Sequence, residues 1–103
     1  MEKLRKILKH CDEPWSFLLQ EYIERPFLYK GRKFDLHHFV LLTSIGGVLR
    51  VYWYYQGYVR TSSMPFGLKD LNPIIHFTSD SLQATAADYG HYEPANKMTY
   101  NDF

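Results

Sequence analysis

The chain has 103 residues and a net charge of +1, with 46% hydrophobic and 22% charged residues. This balance is typical of a soluble globular protein and allows one small domain with a modest core. The low net charge argues against binding to nucleic acid or to an anionic membrane. One cysteine, Cys11, excludes a disulfide scaffold, and no apolar run reaches the length of a membrane span. These features predict a protein of the cytoplasm.

The first third of the chain predicts one helix and one strand. Apolar residues at positions 4, 7, 8 and 11 share one face of a helix over residues 2–11. A short apolar run then predicts a buried strand over residues 16–23, and Pro26 interrupts the pattern. Lys30-Gly31-Arg32 predicts a turn.

The middle of the chain predicts an antiparallel meander. Residues 34–44 form the longest β-type apolar stretch. Gly46-Gly47 predicts a hairpin turn, because glycine reaches positive φ, and Gln56-Gly57 predicts a second turn. Strands over residues 48–55 and 58–61 follow these turns. The expected fold class is therefore α+β, an antiparallel β-meander with a flanking helix.

The last third of the chain is less regular. Leu71-Asn72-Pro73 is a turn signal, and residues 74–78 predict one more short strand. Residues 79–103 are rich in Ser, Asp, Asn, Gly and Tyr and are interpreted as loop, with a helix beginning near Tyr100.

Three stretches of sequence carry a family resemblance. They are Leu-Gln-Glu-Tyr-Ile-Glu-Arg-Pro-Phe-Leu at 19–28, Gly-Arg-Lys-Phe-Asp-Leu at 31–36 with the strand after it, and the segment 49–61. In type, order and spacing they resemble the tubulin tyrosine ligase-like family across residues 15–82. His-Phe-Thr-Ser at 76–79 is similar to a later His-Leu-Thr-Asn element of that family. The resemblance implies that residues 1–103 form a single, partial ATP-grasp domain, in which ATP lies between two α+β lobes.

The resemblance also implies an activity. Members of the family phosphorylate an acceptor carboxylate with ATP, and an amino acid then attacks the acylphosphate to form an amide. We therefore expect ATP and Mg²⁺ as cofactors, tubulin or microtubules as the partner, and a cytoskeletal location such as the cilium or basal body. Glutamate is the amino acid expected first, before tyrosine or glycine. The metal ligands and the lysine and glycine-rich loop that cover the phosphates are expected outside this sequence, so we predict no metal site and no ligase activity for these 103 residues alone.

Two groups of site residues follow from the resemblance. The group assigned to the nucleotide is Gln20, Glu21, Tyr22, Ile23, Lys33 and Asp35. The group assigned to the phosphates and the acceptor is His37, Arg60, His76, Thr78 and Ser79. Strand alternation independently places the side chains of residues 33, 35 and 37 on one face. The cation Lys33 and the acid Asp35 could there bind the polar atoms of a nucleotide.

Two positions depart from the family pattern and leave an alternative function open. His37 stands where the family usually has arginine, and histidine is shorter and mostly neutral at pH 7. Ser79 stands where the family has asparagine, so the side-chain amide, which can both donate and accept hydrogen bonds, is replaced by a hydroxyl. The alternative is a non-catalytic relative that binds tubulin, a microtubule or a ciliary assembly.

Plainer interpretations of the same residues also stand. Tyr22 fits the core of an amphipathic strand, Lys33 and Asp35 fit a surface ion pair, and Arg60 fits a cross-strand ion pair. A nucleic-acid surface built from residues 50–60 is disfavoured, because alternation divides its aromatic residues between two faces.

Overall fold

The computed structural model describes Leu18 and residues 20–103. Within them lie five strands: β1 (Arg32–His37), β2 (Val40–Ile45), β3 (Val48–Trp53), β4 (Tyr58–Pro65) and β5 (Lys97–Thr99). Helices α1 (Pro73–His76) and α2 (Asp80–Gln83) and a 3-10 turn (Pro94–Asn96) lie between β4 and β5. No helix in the described part of the chain is long and apolar enough to cross a membrane.

The strands form two separate antiparallel sheets. One sheet has three strands in the order β1-β4-β5, and the other is the β2-β3 hairpin. The predicted meander is therefore wrong in its pairing, because β4 lies beside β1 instead of β3. The predicted apolar stretch over residues 34–44 is likewise divided at His38-Phe39 between the two sheets. Local sequence patterns identify strands, but they do not identify distant partners.

Two tight turns are confirmed. Gly46 and Gly47 have φ values of 58° and 79° and join β2 to β3. Lys30 and Gly31 have φ values of 47° and 76°, and Tyr29 and Arg32 on either side exchange two backbone hydrogen bonds of 2.9 Å. Positive φ at both central residues is the geometry of the primed turns that match the twist of a hairpin.

The packed centre of the three-stranded sheet is mostly polar. The buried hydrophobic residues of the described chain are Val59 and Ile75, with exposed fractions of 0% and 4%. The buried polar or charged residues are Arg32, Thr61, Ser62, Ser63, Gln83, Glu93 and Asn96.

One ion pair lies at the middle of this polar centre. Arg32 donates hydrogen bonds of 2.9 and 2.5 Å to the two carboxylate oxygens of Glu93, and a third of 3.0 Å to the carbonyl of Ser62. Asn96 donates to the Ser63 hydroxyl at 2.7 Å. Buried polar groups need such partners, and this network ties β1 and β4 to the segment before β5.

Some predicted elements are wrong or lie outside the described residues. Residues 73–76 form α1 where the sequence predicted a strand over residues 74–78. The Asn72 side chain accepts a hydrogen bond from the Ile74 amide at 3.1 Å, and Pro73 is the first residue of the helix.

The predicted strand over residues 16–23 is absent at Leu18 and residues 20–23, which are exposed and irregular. The other residues of that strand, and the helix over residues 2–11, lie outside the described part. The predicted loop over residues 79–103 contains α2, the 3-10 turn and β5, and residues 100–102 form a turn where the sequence predicted the start of a helix.

Candidate functional site

One face of the three-stranded sheet carries most of the predicted site. Asp35 on β1 lies opposite Arg60 on β4, and Arg60 lies opposite Lys97 on β5. Directly opposed residues of antiparallel strands share a face, so these side chains form a row across the sheet. We call this surface the polar sheet face, defined by Asp35, His37, Tyr58, Arg60 and Lys97, and Lys33 precedes it on β1 at a register shift.

Asp35 lies at the centre of the polar sheet face. Its two carboxylate oxygens accept hydrogen bonds of 2.9 and 2.7 Å from Arg60, and the Thr78 hydroxyl donates a third of 2.6 Å. Burial alone would raise the pKa of Asp35, but the hydrogen bonds from Arg60 and Thr78 and the positive charge of Arg60 outweigh it and lower the pKa. Asp35 is therefore ionised at neutral pH.

A chain of hydrogen bonds lies beside Asp35. Lys33 donates to the Tyr22 hydroxyl at 3.2 Å, and that hydroxyl lies 2.5 Å from Nδ1 of His76. Nε2 of His76 lies 2.6 Å from the Asp70 carbonyl oxygen, which can only accept. Nε2 must therefore carry a proton and donate this hydrogen bond. The Lys33 ammonium also lies 4.8 Å from the centre of the Tyr22 ring, a cation–π contact.

An apolar cleft opens next to this chain of hydrogen bonds. It has a volume of about 400 Å³ and is lined by Tyr22, Glu24, Leu68, Leu71, His76 and Phe77. Its volume and aromatic walls are those of a small-molecule site.

The predicted site residues divide into those that converge and those that do not. The structure joins six of them in two hydrogen-bonded groups, one of Tyr22, Lys33 and His76 and the other of Asp35, Arg60 and Thr78. Gln20, Glu21 and Ile23 are exposed on an irregular segment. Ser79 is exposed, precedes α2 as its N-cap residue, and has its hydroxyl 3.1 Å from that of Ser81.

His37 lies on the polar sheet face but makes aromatic contacts there. Its ring stacks on Tyr58 with centroids 4.7 Å apart and planes 10° apart, and it meets Phe39 edge-on at 5.2 Å. Its charge helps to lower the pKa of Asp35. The ring is thus held by packing within the sheet face.

The structural interpretations of Tyr22, Lys33, Asp35 and Arg60, as a core residue and ion pairs, are confirmed only in part. Tyr22 is 43% exposed, so its placement in a core is wrong. Lys33 bonds to Tyr22, while the ion-pair partner of Asp35 is Arg60. The cross-strand ion pair predicted for Arg60 is confirmed, with a nitrogen–oxygen distance of 2.7 Å.

The acidic residues of the site do not form a magnesium site. In residues 20–103, no group of three or more His, Cys, Asp or Glu side chains is placed to hold a metal ion. The carboxylate of Asp35 is already occupied by Arg60 and Thr78.

Three residues of the site were missed from the sequence. Tyr58 follows from strand alternation, because it lies two residues before Arg60 on β4. Asp80 and Lys97 form an ion pair of 2.9 Å at the edge of the face. No sequence signal identified them, because the segment that holds them was interpreted as loop.

Comparison with known proteins identifies the family. The model of the tubulin-tyrosine ligase family matches residues 1–102. The mouse protein tubulin monoglycylase TTLL3 is 35% identical over 100 residues, which are 91% of this chain and 11% of that protein. The rat protein probable tubulin polyglutamylase TTLL9 is 36% identical over 89 residues, which are 85% of this chain and 19% of that protein. The chain thus spans between about a tenth and a fifth of the length of these relatives. Sequence motifs and the family model agree, and the chain belongs to the tubulin-tyrosine ligase family.

Proposed function

We propose that this chain forms part of the ATP site of a ligase that joins an amino acid to tubulin. The observation that carries the proposal is a hydrogen-bonded cluster of Asp35, Arg60 and Thr78 on a sheet whose first strand also carries Lys33, which bonds to Tyr22 in the wall of an apolar cleft. Family membership supports the same chemistry, because relatives of the chain are named tubulin glycylases and polyglutamylases.

Each part of the site has a distinct task in this proposal. The cleft beside Tyr22 holds the adenine ring, and Lys33 binds polar atoms at its edge. Asp35 accepts from Nε and Nη2 of Arg60 and keeps the guanidinium in one orientation, and the remaining N–H groups can donate to the oxygens of a phosphate or a carboxylate. Bound ATP supplies the phosphoryl group that activates the acceptor carboxylate. The remaining electrostatic stabilisation, including the metal, must come from residues outside this set.

We further propose the substrates by analogy with the relatives. Glycylases and polyglutamylases are both among them, so we propose glutamate or glycine as the added amino acid and tubulin as the acceptor. A tubulin acceptor places the activity in the cytoskeleton, with the cilium or basal body as the narrower expectation. We expect no ligase activity from the 103 residues alone.

A non-catalytic tubulin-binding relative is the second candidate. The observation that favours it is the packing of the His37 ring against Tyr58. Histidine is also shorter than the arginine that the family usually has at this position. His37→Arg in the full-length protein separates the two candidates. A gain in incorporation of labelled glutamate or glycine into tubulin supports a weakened enzyme. No incorporation with tubulin binding intact supports the binding protein.

Nucleotide binding tests the proposed site directly. We expect the chain to bind ATP and Lys33→Ala to weaken binding about tenfold, because it removes the ammonium that bonds to Tyr22, a residue of the cleft wall. Lys69→Ala is the matched control, since Lys69 is exposed on the loop after β4. Equal affinity of the two variants for ATP would reject this placement of the nucleotide.

A further inference from the structure

Lys97 is a cation of the polar sheet face to which neither the sequence motifs nor the comparisons give a role. It lies directly opposite Arg60 in the pairing of β4 with β5, so the two side chains share a face. Its ammonium lies 5.4 Å from the centre of the Tyr58 ring, and Tyr58 is on the same face. The register and this contact independently place the ammonium beside Arg60.

The segment Thr78–Asp80 crosses the sheet above Arg60. At one end the Thr78 hydroxyl bonds to Asp35 on β1 at 2.6 Å, and at the other Asp80 pairs with Lys97 on β5 at 2.9 Å. Asp80 also raises the pKa of Arg60, after the larger effect of Asp35, so the Asp80 charge acts on both cations. The hydrogen bond from Lys97 to Asp80 raises the pKa of Lys97, which therefore stays charged at neutral pH.

The two cations thus lie side by side, each paired with a carboxylate of this chain. Arg60 is held by Asp35 in a two-pronged pair, whereas Lys97 and Asp80 are joined by one contact with side chains 38% and 45% exposed. Exposed pairs of this kind contribute little to stability, so a ligand can replace Asp80 at small cost. Asp35 takes Nε and Nη2 of Arg60, so the remaining N–H groups of the guanidinium, beside the compact Lys97 ammonium, are left for the oxygens of an anion.

We propose that Lys97 acts with Arg60 to bind an oxyanion of the ligand, either a phosphate of the nucleotide or a carboxylate of the acidic acceptor. This inference rests on the proposed function, because it takes the polar sheet face as the ligand site. It adds a binding residue from β5, outside the segments that resemble the family motifs.

The test uses the full chain and three probes: ATP, adenosine and a glutamate-rich peptide. Affinities are measured by calorimetry for wild type, Lys97→Ala and Lys97→Arg, with Lys69→Ala as the control for loss of a surface lysine. We expect Lys97→Ala to weaken binding of one of the two anionic probes about tenfold and to leave adenosine binding unchanged. Lys97→Arg should restore affinity to within about threefold, because the charge returns.

The outcomes separate this inference from the proposed function. Weaker binding of ATP assigns Lys97 to a phosphate, and weaker binding of the peptide alone assigns it to the acceptor carboxylate. Unchanged affinity of Lys97→Ala for both anionic probes overturns the inference and leaves the proposed function standing. An equal loss for adenosine also overturns it, because Lys97 then acts on the shape of the site and not on an anion. A folded wild-type chain that binds none of the probes overturns the proposed function itself.

Discussion

The two sheets of this protein differ in what they bury and what they expose. The three-stranded sheet packs around charged and polar side chains, with Arg32 only 2% exposed. The hairpin of β2 and β3 is rich in aliphatic residues, yet all its residues except Thr43 are exposed. Hydrophobic composition alone therefore does not locate the packed part of this chain. Strands that are apolar on both faces are typical of sheets covered on both sides.

The sheets also differ in what holds them together. The hairpin is closed locally by Gly46-Gly47, and His38 at its base lies 4.1 Å from the Trp53 ring centre and 4.7 Å from that of Tyr100. The three-stranded sheet depends on Arg32 and Glu93, which are 61 positions apart in sequence. Substitutions should therefore have large effects on stability in the polar centre and small effects in the hairpin.

The largest loss of stability is expected at Glu93. Glu93→Gln removes the charge that neutralises Arg32, and an unpaired buried charge costs about 3–5 kcal/mol. Urea denaturation followed by circular dichroism measures the loss. Glu24→Gln is the matched control, because Glu24 is exposed and its change should stay within about 0.5 kcal/mol. Equal unfolding midpoints for the two variants would contradict the importance of the buried pair.

Gly57 should show the next largest effect. A Cβ atom at Gly57 would lie 2.5 Å from the His37 carbonyl oxygen and 2.5 Å from the Tyr100 hydroxyl, so the backbone of β1 must shift. We expect Gly57→Ala to lower the free energy of unfolding by about 1–3 kcal/mol. Gly67→Ala is the comparison, because nothing lies within 4 Å of a Cβ there. If both variants unfold at the same denaturant concentration, the close approach at Gly57 is not a constraint.

Acid should weaken the three-stranded sheet. Burial opposes ionisation of Glu93, but hydrogen bonds from Arg32 and Thr61 outweigh it and lower the pKa, as Arg60 and Thr78 do for Asp35. A carboxyl group whose pKa is lower in the folded chain than in the unfolded chain stabilises the fold at pH values above its unfolded pKa, which is near 4. This stability is lost as the pH falls through the pKa of the folded state. Denaturation at a series of pH values should show the loss below about pH 4. Asp35→Asn should make the free energy of unfolding depend less steeply on pH. An unchanged pH dependence would contradict the contribution of ionised Asp35 to stability.

The smallest effect is expected in the hairpin. Leu42 and Val51 are paired across β2 and β3 and are 61% and 63% exposed. Lysine at either position should change the free energy of unfolding by less than about 0.5 kcal/mol. The same substitutions should reduce self-association in sedimentation experiments, because charged residues block contacts through exposed apolar strands. A loss of stability as large as that of Glu93→Gln would show that the hairpin is part of the core.

Local features of the fold could be predicted from the sequence, and distant pairings could not. The turns at Lys30-Gly31 and Gly46-Gly47 follow from glycine chemistry and are confirmed. The pairing of β4 with β1 depends on contacts far apart in sequence, which no local pattern encodes. Asn72 and Pro73 carried a helix-start signal that was interpreted only as a turn.

The site shows the same division. Alternation along β1 predicts one face for Lys33, Asp35 and His37, and the pairing with β4 confirms it for Asp35 and His37, whereas Lys33 lies at a register shift between Arg32 and Phe34. The burial of Arg32 does not follow from the same rule, because a register shift separates it from Phe34 and Leu36 of the same parity is exposed. The Arg32 partner Glu93 and the face residue Lys97 lie in sequence without clear periodicity, and only the folded chain brings them to β1 and β4.

The central claim is that this polar sheet face binds the nucleotide, and calorimetry with Mg-ATP tests it most directly. Wild type and Asp35→Ala are titrated under the same conditions, with circular dichroism to confirm that both are folded. We expect wild type to bind and Asp35→Ala to bind at least about tenfold more weakly, because Arg60 loses the carboxylate that orients it. A folded wild-type chain that does not bind Mg-ATP, or an Asp35→Ala variant that binds equally well, would contradict the claim.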